Sequence, residues 1–531
     1  MRLIFLCCFG AWVVLSCSVK KNTTEVGIEP VNLQAVLPDS TETTALDGNN
    51  LAHVYCSTCH QFPEPALLPK AVWADRVLPA MGRRLGIGAD LAMYTRMDPQ
   101  EITALLKANI YPDKALIAKK DWIKILSYYK SKAPEKLPEL TLLSLEKLDS
   151  FKAIPLTLNK GRYALTSLLQ YEPTTKELLV GDRRNKLFRV NAQLQAFDSI
   201  QFDTPPVSVV KGKEGQYQVV TIGTLNPSDA AYGRLYSWQL TTAAKAAAPV
   251  PQLTDLQRPV KLTSGDLNQD SHQDLIICEY GNQLGKLSWL EGKPDGTYQE
   301  HILKKLPGSR QVVIQDMNLD DRPDIVALFA QATESIFVFY NQGEGHFKEE
   351  KVLQLPPVYG ASYFELVDFN KDGAPDILIS NGDNGDYSFL LKPYHGIRLY
   401  VNNKQNEFRE ATFLPLPGAS QTRTRDFDQD GDLDIAAISY FADFDRQPTA
   451  GFVYYENRGN NTFTSKTLPE AKTGRWLTLD AGDVDQDGDD DIMLGSFIFA
   501  TTPVPTPLQE QWIKNSPSVL VLKNRRINNL Q

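Results

Sequence analysis

Hydrophobic residues change their spacing along this chain, and each change marks a different kind of element. Leu3 to Leu15 is an almost unbroken apolar run, too short to span a bilayer. In PKAVWADRVLPAMGRRLG, Trp73, Val77 and Leu78 share one helical face. In AKKDWIKILSYYKSKAP, Trp122, Ile125, Leu126 and Tyr129 do the same, and Pro134 ends the helix. DPQEITALLKANI predicts a further helix, with Asp98 as N-cap and Glu101 at the spacing of a capping box. After KSKAPEKLPEL the helical period disappears, leaving short strand-like runs separated by turn residues. The expected fold is therefore α + β and multidomain: a small all-α domain over 45–136 and an all-β domain over 140–531.

The all-β part repeats itself. GDLNQDSHQDLIICEYG, QDMNLDDRPDIVALFAQ, VDFNKDGAPDILISNGD, RDFDQDGDLDIAAISYF and GDVDQDGDDDIMLGSFI align, with their first aspartates 50 to 58 residues apart. Carboxylates or amides occupy positions 1, 3, 5 and 9 of each unit. These are Asp266, Asn268, Asp270 and Asp274; Asp316, Asn318, Asp320 and Asp324; and Asp368, Asn370, Asp372 and Asp376. The last two units give Asp426, Asp428, Asp430 and Asp434, then Asp483, Asp485, Asp487 and Asp491.

Calcium takes six to eight hard oxygen ligands, and alternate positions of a tight loop turn such oxygens inward. An EF-hand would need an acid at position 12, where this chain has Ile277, Ala327, Ile379, Ala437 and Leu494. Up to five calcium ions in hairpin loops are thus expected. Ser271 and Asp321 replace the turn glycine in the first two loops, which should weaken both.

Period, motif and trailing Asn-Gly turns resemble the FG-GAP or VCBS repeat, the blade unit of calcium-bearing β-propellers such as the integrin head. Two unmarked units, at 163–190 and 206–240, bring the expected count to seven blades. The last unit is one strand short, and the segment 141–158 is expected to supply that strand and close the ring.

With 531 residues, 42% hydrophobic and 22% charged, the chain can build ordinary cores. A net charge of −9 without a clustered basic face argues against nucleic acid as a partner. Val14-Leu15-Ser16-Cys17 closes a signal-like run and resembles the lipobox of bacterial lipoproteins. That resemblance implies cleavage before Cys17, lipidation of its thiol, and a lipid membrane as partner. It also implies export to the cell envelope, with the outer membrane as the expected site. A plain secretory signal is the alternative. Residues 18–44 are polar and unpatterned, as in a tether.

HVYCSTCHQF, residues 53–62, carries two cysteines three apart followed by a histidine. Cys7 and Cys8 lie in the signal, so only Cys56, Cys59 and a solitary Cys278 remain besides Cys17. Zinc would need a second Cys or His pair at matching spacing, and none exists. A thioredoxin-like site would need a βαβ context; a Cys56–Cys59 disulfide stays open. Cys-x-x-Cys-His is also the attachment signature of c-type haem, with two thioethers and the adjacent histidine beneath the iron.

The stretch 45–135 resembles a cytochrome c, with ALDGNNLAHVYCSTCH as its first helix and AKKDWIKILSYYKSKAP as its last. The resemblance implies one covalent haem c held by Cys56 and Cys59, with His60 and Met81 as axial ligands. Met97, Met93, His53, water or an open position are alternatives for the sixth site. The best-known cytochromes place that methionine just before the last helix, and this chain has none there.

Three insertions, SNGDNGDYSFLLKPYHGIR, SYFADFDRQPTAG and GSFIFATTPVPTPLQEQWIKNSP, are unusually aromatic. They are expected on one face, either binding a partner or packing on the haem domain, through Tyr387, Lys392, Tyr394, His395, Phe441, Asp443 and Trp512. No nucleophilic triad, phosphate loop or paired acid and base stands out, so no catalytic residue is assigned. The expected function is electron transfer to a redox protein or respiratory component, with the propeller as docking scaffold. The alternative makes the propeller a dehydrogenase, or a glycan- or protein-binding module, with the haem as outlet or sensor.

Overall fold

The computed structural model describes residues 42–88, 94–95, 97–158, 160–212, 215–239, 249–385, 389–459, 461–499 and 502–525. The signal run, Cys17 and most of the tether lie outside them.

Alternating runs of β-branched and aromatic residues form seven antiparallel sheets of four strands, with one short strand added to the sixth. The first six blades follow chain order: 166–201, 206–256, 259–304, 309–355, 361–415 and 419–467. Their first strands face one another from blade to blade around the ring. Blade seven comes from both ends of the repeat region. Strands Trp476–Gly482, Asp491–Ser496 and Val519–Asn524 receive Phe151–Leu156 as their fourth, with Phe151 opposite Asn524 and Leu156 opposite Val519. The closure expected from 141–158 is made by these six residues. Glu146–Lys147 adds a contact that periodicity did not signal, pairing parallel to Lys466 and Thr467 at the edge of blade six.

Apolar layers fill the spaces between blades, because each sheet buries both of its faces. Val326, Leu328, Ile336 and Val338 of blade four, for example, pack against Phe364, Ile377 and Ile379 of blade five. Each such side chain contributes about 1.5–3 kcal/mol.

The helical unit contains Gly48–Cys56, a run from Lys70 to Arg84 interrupted by a π-type turn over Trp73–Val77, Pro99–Lys107 and Lys119–Lys132. The first and last helices cross at Gly48, where an added Cβ would lie 2.3 Å from the Lys124 carbonyl oxygen. Buried Asp121 fastens the crossing by accepting from the Thr44 amide at 2.8 Å. Leu51, Ala52, Tyr55, Trp73, Leu78, Trp122, Ile125 and Tyr129 form the core beneath.

This unit sits on one end of the propeller. It is touched there by Ser228, Asp229, Tyr232, Gln283 and Tyr394, all in loops joining second to third strands, and by Val358 between blades. Loops between first and second strands, which carry the aspartates, lie at the opposite end. The capping box is only half realised. Asp98 accepts from the Gln100 amide at 2.8 Å, but Glu101 turns away to bind the propeller.

Candidate metal centres

The Cys-x-x-Cys-His stretch begins on the last turn of the Gly48–Cys56 helix, which Asp47 caps by accepting from the Asn50 amide at 2.9 Å. Cys56 and Cys59 are both free thiols, and Cys56 packs against the helical core. His60 Nδ1 lies 2.8 Å from the Gln61 carbonyl oxygen. A carbonyl can only accept, so Nδ1 carries the proton and Nε2 keeps its lone pair. Burial holds this imidazole below its ordinary 6.5, which keeps it neutral.

Cys56, Cys59 and His60 do not form one of the groups whose donor atoms gather within 4.8 Å among the described residues.

Met81, in the Leu78–Arg84 helix, is half-buried against the same core as Cys56. His53 is exposed, stacked on Phe62 with ring centroids 3.8 Å apart, and its Nδ1 is 3.0 Å from the Asn49 carbonyl. Met97 sits half-buried at a bend, and Met93 lies outside the described residues.

All five acidic loops share one design. Position 1 folds the loop on itself: Asp266 accepts from the amides of Asp270 (3.0 Å) and Ser271 (2.9 Å), and Asp368 from those of Asp372 (3.0 Å) and Gly373 (2.9 Å). Position 6 has positive φ whatever its residue: +68° at Ser271, +63° at Asp321, +89° at Gly373 and +98° at both Gly431 and Gly488. The loss of glycine in the first two loops therefore leaves the backbone path intact and adds strain instead.

Position 9 is fully buried in each loop. Asp324 accepts from the amides of Met317 (2.9 Å) and Asn341 (2.7 Å), and Asp491 from those of Val484 (3.1 Å) and Asn524 (2.9 Å). These aspartates pin the loop to the end of the third strand. Burial pushes their carboxyl groups up, to about 6 at Asp434 and about 7 at Asp491.

The residues fit a cation best in blades six and seven. Carboxylate oxygens of Asp426, Asp428 and Asp434 lie within 4.8 Å of one another, as do those of Asp483, Asp485 and Asp487. Asp426 Oδ1 and Asp485 Oδ1 are buried there without a hydrogen-bond donor. Such an orphaned charge is costly unless a cation faces it. In blades three to five the position-3 asparagine donates instead to the position-5 aspartate, at 3.1, 3.1 and 3.2 Å.

Sequence reasoning did not find the buried asparagines that close these loops. Asn341, Asn402, Asn457 and Asn524 each offer a backbone N–H to position 9 and a side-chain N–H to a carbonyl. Their signal is an asparagine recurring at the end of every third strand in blades four to seven.

The insertions divide. Tyr394 of blade five donates to the Leu67 carbonyl at 2.8 Å, so that loop packs on the helical unit, with Lys392 and His395 buried behind it. The blade-seven insertion contains a helix, Thr506–Asn515, where loop was expected. Its Trp512 donates to the Lys472 carbonyl at 2.8 Å and meets Phe444 edge-on. Asp443 is buried and paired with Arg446 at 2.6 Å, and Phe441 lies edge-on to Tyr440. Lys392, His395, Asp443 and Trp512 thus hold loops in shape rather than face solvent. Tyr387 lies outside the described residues.

Residues 316–379 and 426–494 match the model for an FG-GAP-like repeat. The chain is 28% identical to human integrin alpha-7 over 193 residues and 27% identical to the rat protein over 202. Those stretches are 30% and 32% of this chain but only 16% and 17% of the relatives, so it spans about a sixth of their length. Among solved structures, BBS1N in complex with ARL6DN shares 12% identity at a TM-score of 0.42, covering 71% of this chain and 96% of that one. The WD40 β-propeller domain of Doa1 shares 10% at 0.40, covering 70% and 96%. The repeat region of this chain is accordingly similar to FG-GAP-like repeats, and it is built as a seven-bladed β-propeller.

Proposed function

We propose that this chain is an envelope-anchored c-type cytochrome whose propeller, stapled by calcium, is the scaffold that carries the haem domain. The observation that carries the reading is His60. It directly follows the second thiol, its Nδ1 is committed to the Gln61 carbonyl, and its Nε2 is neutral and uncommitted. Cys56 and Cys59 would form the two thioethers, His60 would lie under the iron, and Met81 is the sixth ligand this reading favours. Bound haem supplies one-electron transfer. The crossing of first and last helices at Gly48 supports a cytochrome c-like unit, and the trapped carboxylates of blades six and seven support calcium. Lipidation at Cys17 and a membrane surface complete the proposal, with a redox protein or respiratory component as partner.

A second reading, in which the propeller face binds a glycan or protein, draws on one observation. Tyr163 and Phe499, 37% and 45% exposed, meet edge-on at the same end of the propeller as the helical unit, and Arg183 stands over Phe499 at 5.4 Å.

Expression with the cytochrome maturation machinery tests the first reading. The expected product keeps its colour on a denaturing gel, gives a low-spin spectrum and ignores carbon monoxide. A colourless chain overturns the haem assignment. A gas-sensitive, high-spin spectrum moves the site to ligand binding or catalysis.

A further inference from the structure

The five acidic loops share a backbone but not a charge balance. Blades six and seven bring five aspartates between 426 and 434 and six between 483 and 491, with no basic residue inside either stretch. Blade four differs at position 7, where its loop carries Arg322. The guanidinium donates through Nη2 to Asp320 Oδ2, and through Nε at 2.8 Å to the Asn341 carbonyl. Asn341 in turn gives its amide to Asp324, so Arg322 joins the position-5 carboxylate to the strand end that position 9 already holds. A guanidinium is always charged and offers several donors in one plane, so it can neutralise a carboxylate and satisfy a carbonyl together.

Blade seven shows that a nearby cation need not do this. Lys523 reaches Asp485 Oδ2 at 2.7 Å, yet Asp485 Oδ1 remains buried without a donor and Asp483, Asp485 and Asp487 stay gathered. Among the described residues the carboxylates of blades three, four and five form no such group, each loop having asparagine at position 3, and of these three only blade four sets a guanidinium on its position-5 carboxylate. In the 316–324 loop the position-5 carboxylate is thus already met by a charged side chain that also reaches the strand end, although the motif has the spacing of a calcium loop.

We infer that Arg322 takes the place of the ion in blade four, making this loop a calcium-independent staple in a ring whose better acidic loops are calcium-dependent. The inference rests on the calcium reading above. It predicts that chelation leaves blade four closed while blades six and seven loosen, so the ring has a built-in order of opening.

Calcium bound per chain, measured by equilibrium dialysis on the full mature chain, tests this, together with hydrogen exchange in EGTA. Replacing both Asp316 and Asp320 by Asn is expected to leave the stoichiometry unchanged, whereas D426N/D428N lowers it by one. Arg322→Ala is expected to raise it by one. In EGTA, exchange across 426–434 should rise by about tenfold or more, while 316–324 changes by less than about twofold. A loss of one calcium in D316N/D320N overturns the inference and leaves the calcium reading standing. So does an unchanged stoichiometry in folded Arg322→Ala. A wild-type chain that binds no calcium overturns the calcium reading itself, and the inference with it.

Discussion

The Glu101 carboxylate of the helical unit accepts from the backbone amide of Asp229 in the propeller at 3.0 Å, and both side chains are buried. Its second oxygen accepts from Ser228 Oγ at 3.2 Å. Asp229 is itself held by the amides of Asn282, Gln283 and Leu284, at 2.9, 2.7 and 2.8 Å. Two acids of like charge meet across a domain boundary because each is saturated by donors. The start of the Pro99–Lys107 helix is thereby locked onto blades two and three, and Tyr232 donates to Asp98 beside it at 2.8 Å.

Glu101→Ala leaves a buried amide and a hydroxyl without an acceptor, at a cost of about 1–3 kcal/mol. The expected outcome is looser docking of an otherwise folded helical unit. Faster hydrogen exchange in 228–232 and 99–107, with blade cores unchanged, would show it. Glu101→Gln, which keeps one acceptor, should fall between.

Ring closure depends on six residues contributed from outside the repeats. Deleting 151–156 strips Val519–Asn524 of its outer partner, leaving it paired only to Asp491–Ser496, and exposes an apolar edge. The variant is expected to aggregate or to unfold at markedly lower temperature, read by calorimetry and light scattering. Deleting 137–142, which leaves that strand in place, should cost far less.

Asp491→Ala removes the acceptor of the Val484 and Asn524 amides and a carboxylate of the blade-seven loop. Two unpaired buried amides predict a loss of several kcal/mol, about 1–3 for each. If calcium occupies this loop, the melting temperature of the wild type should also fall on chelation, by more than that of the variant.

Glu334 gives a pH signature. Burial pushes its carboxyl up from 4.5 to about 7, against the amides of Gly360 and Ala361, which pull the other way. An acid raised on folding contributes stability that is fully present below 4.5 and is lost as pH rises through about 7. The full effect is ~3 kcal/mol at 1.36 kcal/mol per pH unit. Glu334→Gln should flatten the difference in stability between pH 5 and pH 8, measured by urea unfolding.

His60→Ala separates attachment from ligation. Under the haem reading the two thiols still capture the porphyrin, so colour survives denaturing electrophoresis while the low-spin spectrum is lost. Replacing Cys56 and Cys59 together should abolish covalent colour.

Much of this was legible from spacing. The recurrence of Asp or Asn at positions 1, 3, 5 and 9 located every acidic loop, because a turn of that shape is set by neighbours a few residues apart. The helical periods of Trp73, Val77 and Leu78 and of Trp122, Ile125 and Tyr129 located a core that the structure builds from those residues. Glu101 shows the limit. Three residues after Asp98 it has the spacing of a capping residue, and its true partners lie 127 and 128 positions away in blade two. Arg322 shows the same limit inside a repeat. One residue at position 7 sets a guanidinium on the position-5 carboxylate and donates to the Asn341 carbonyl, a partner that the repeat pattern does not announce.

The sequence alone therefore determined most element types, the repeat count and the positions of the acidic loops, since all of these follow from contacts between residues close in the chain. Only the tertiary structure decided which end of the ring carries the helical unit, and which insertion packs on it. It also decided which acidic loops leave a carboxylate unpaired. Those outcomes depend on burial and on partners up to hundreds of residues away, such as Tyr394 with Leu67, and no local period encodes where such partners meet.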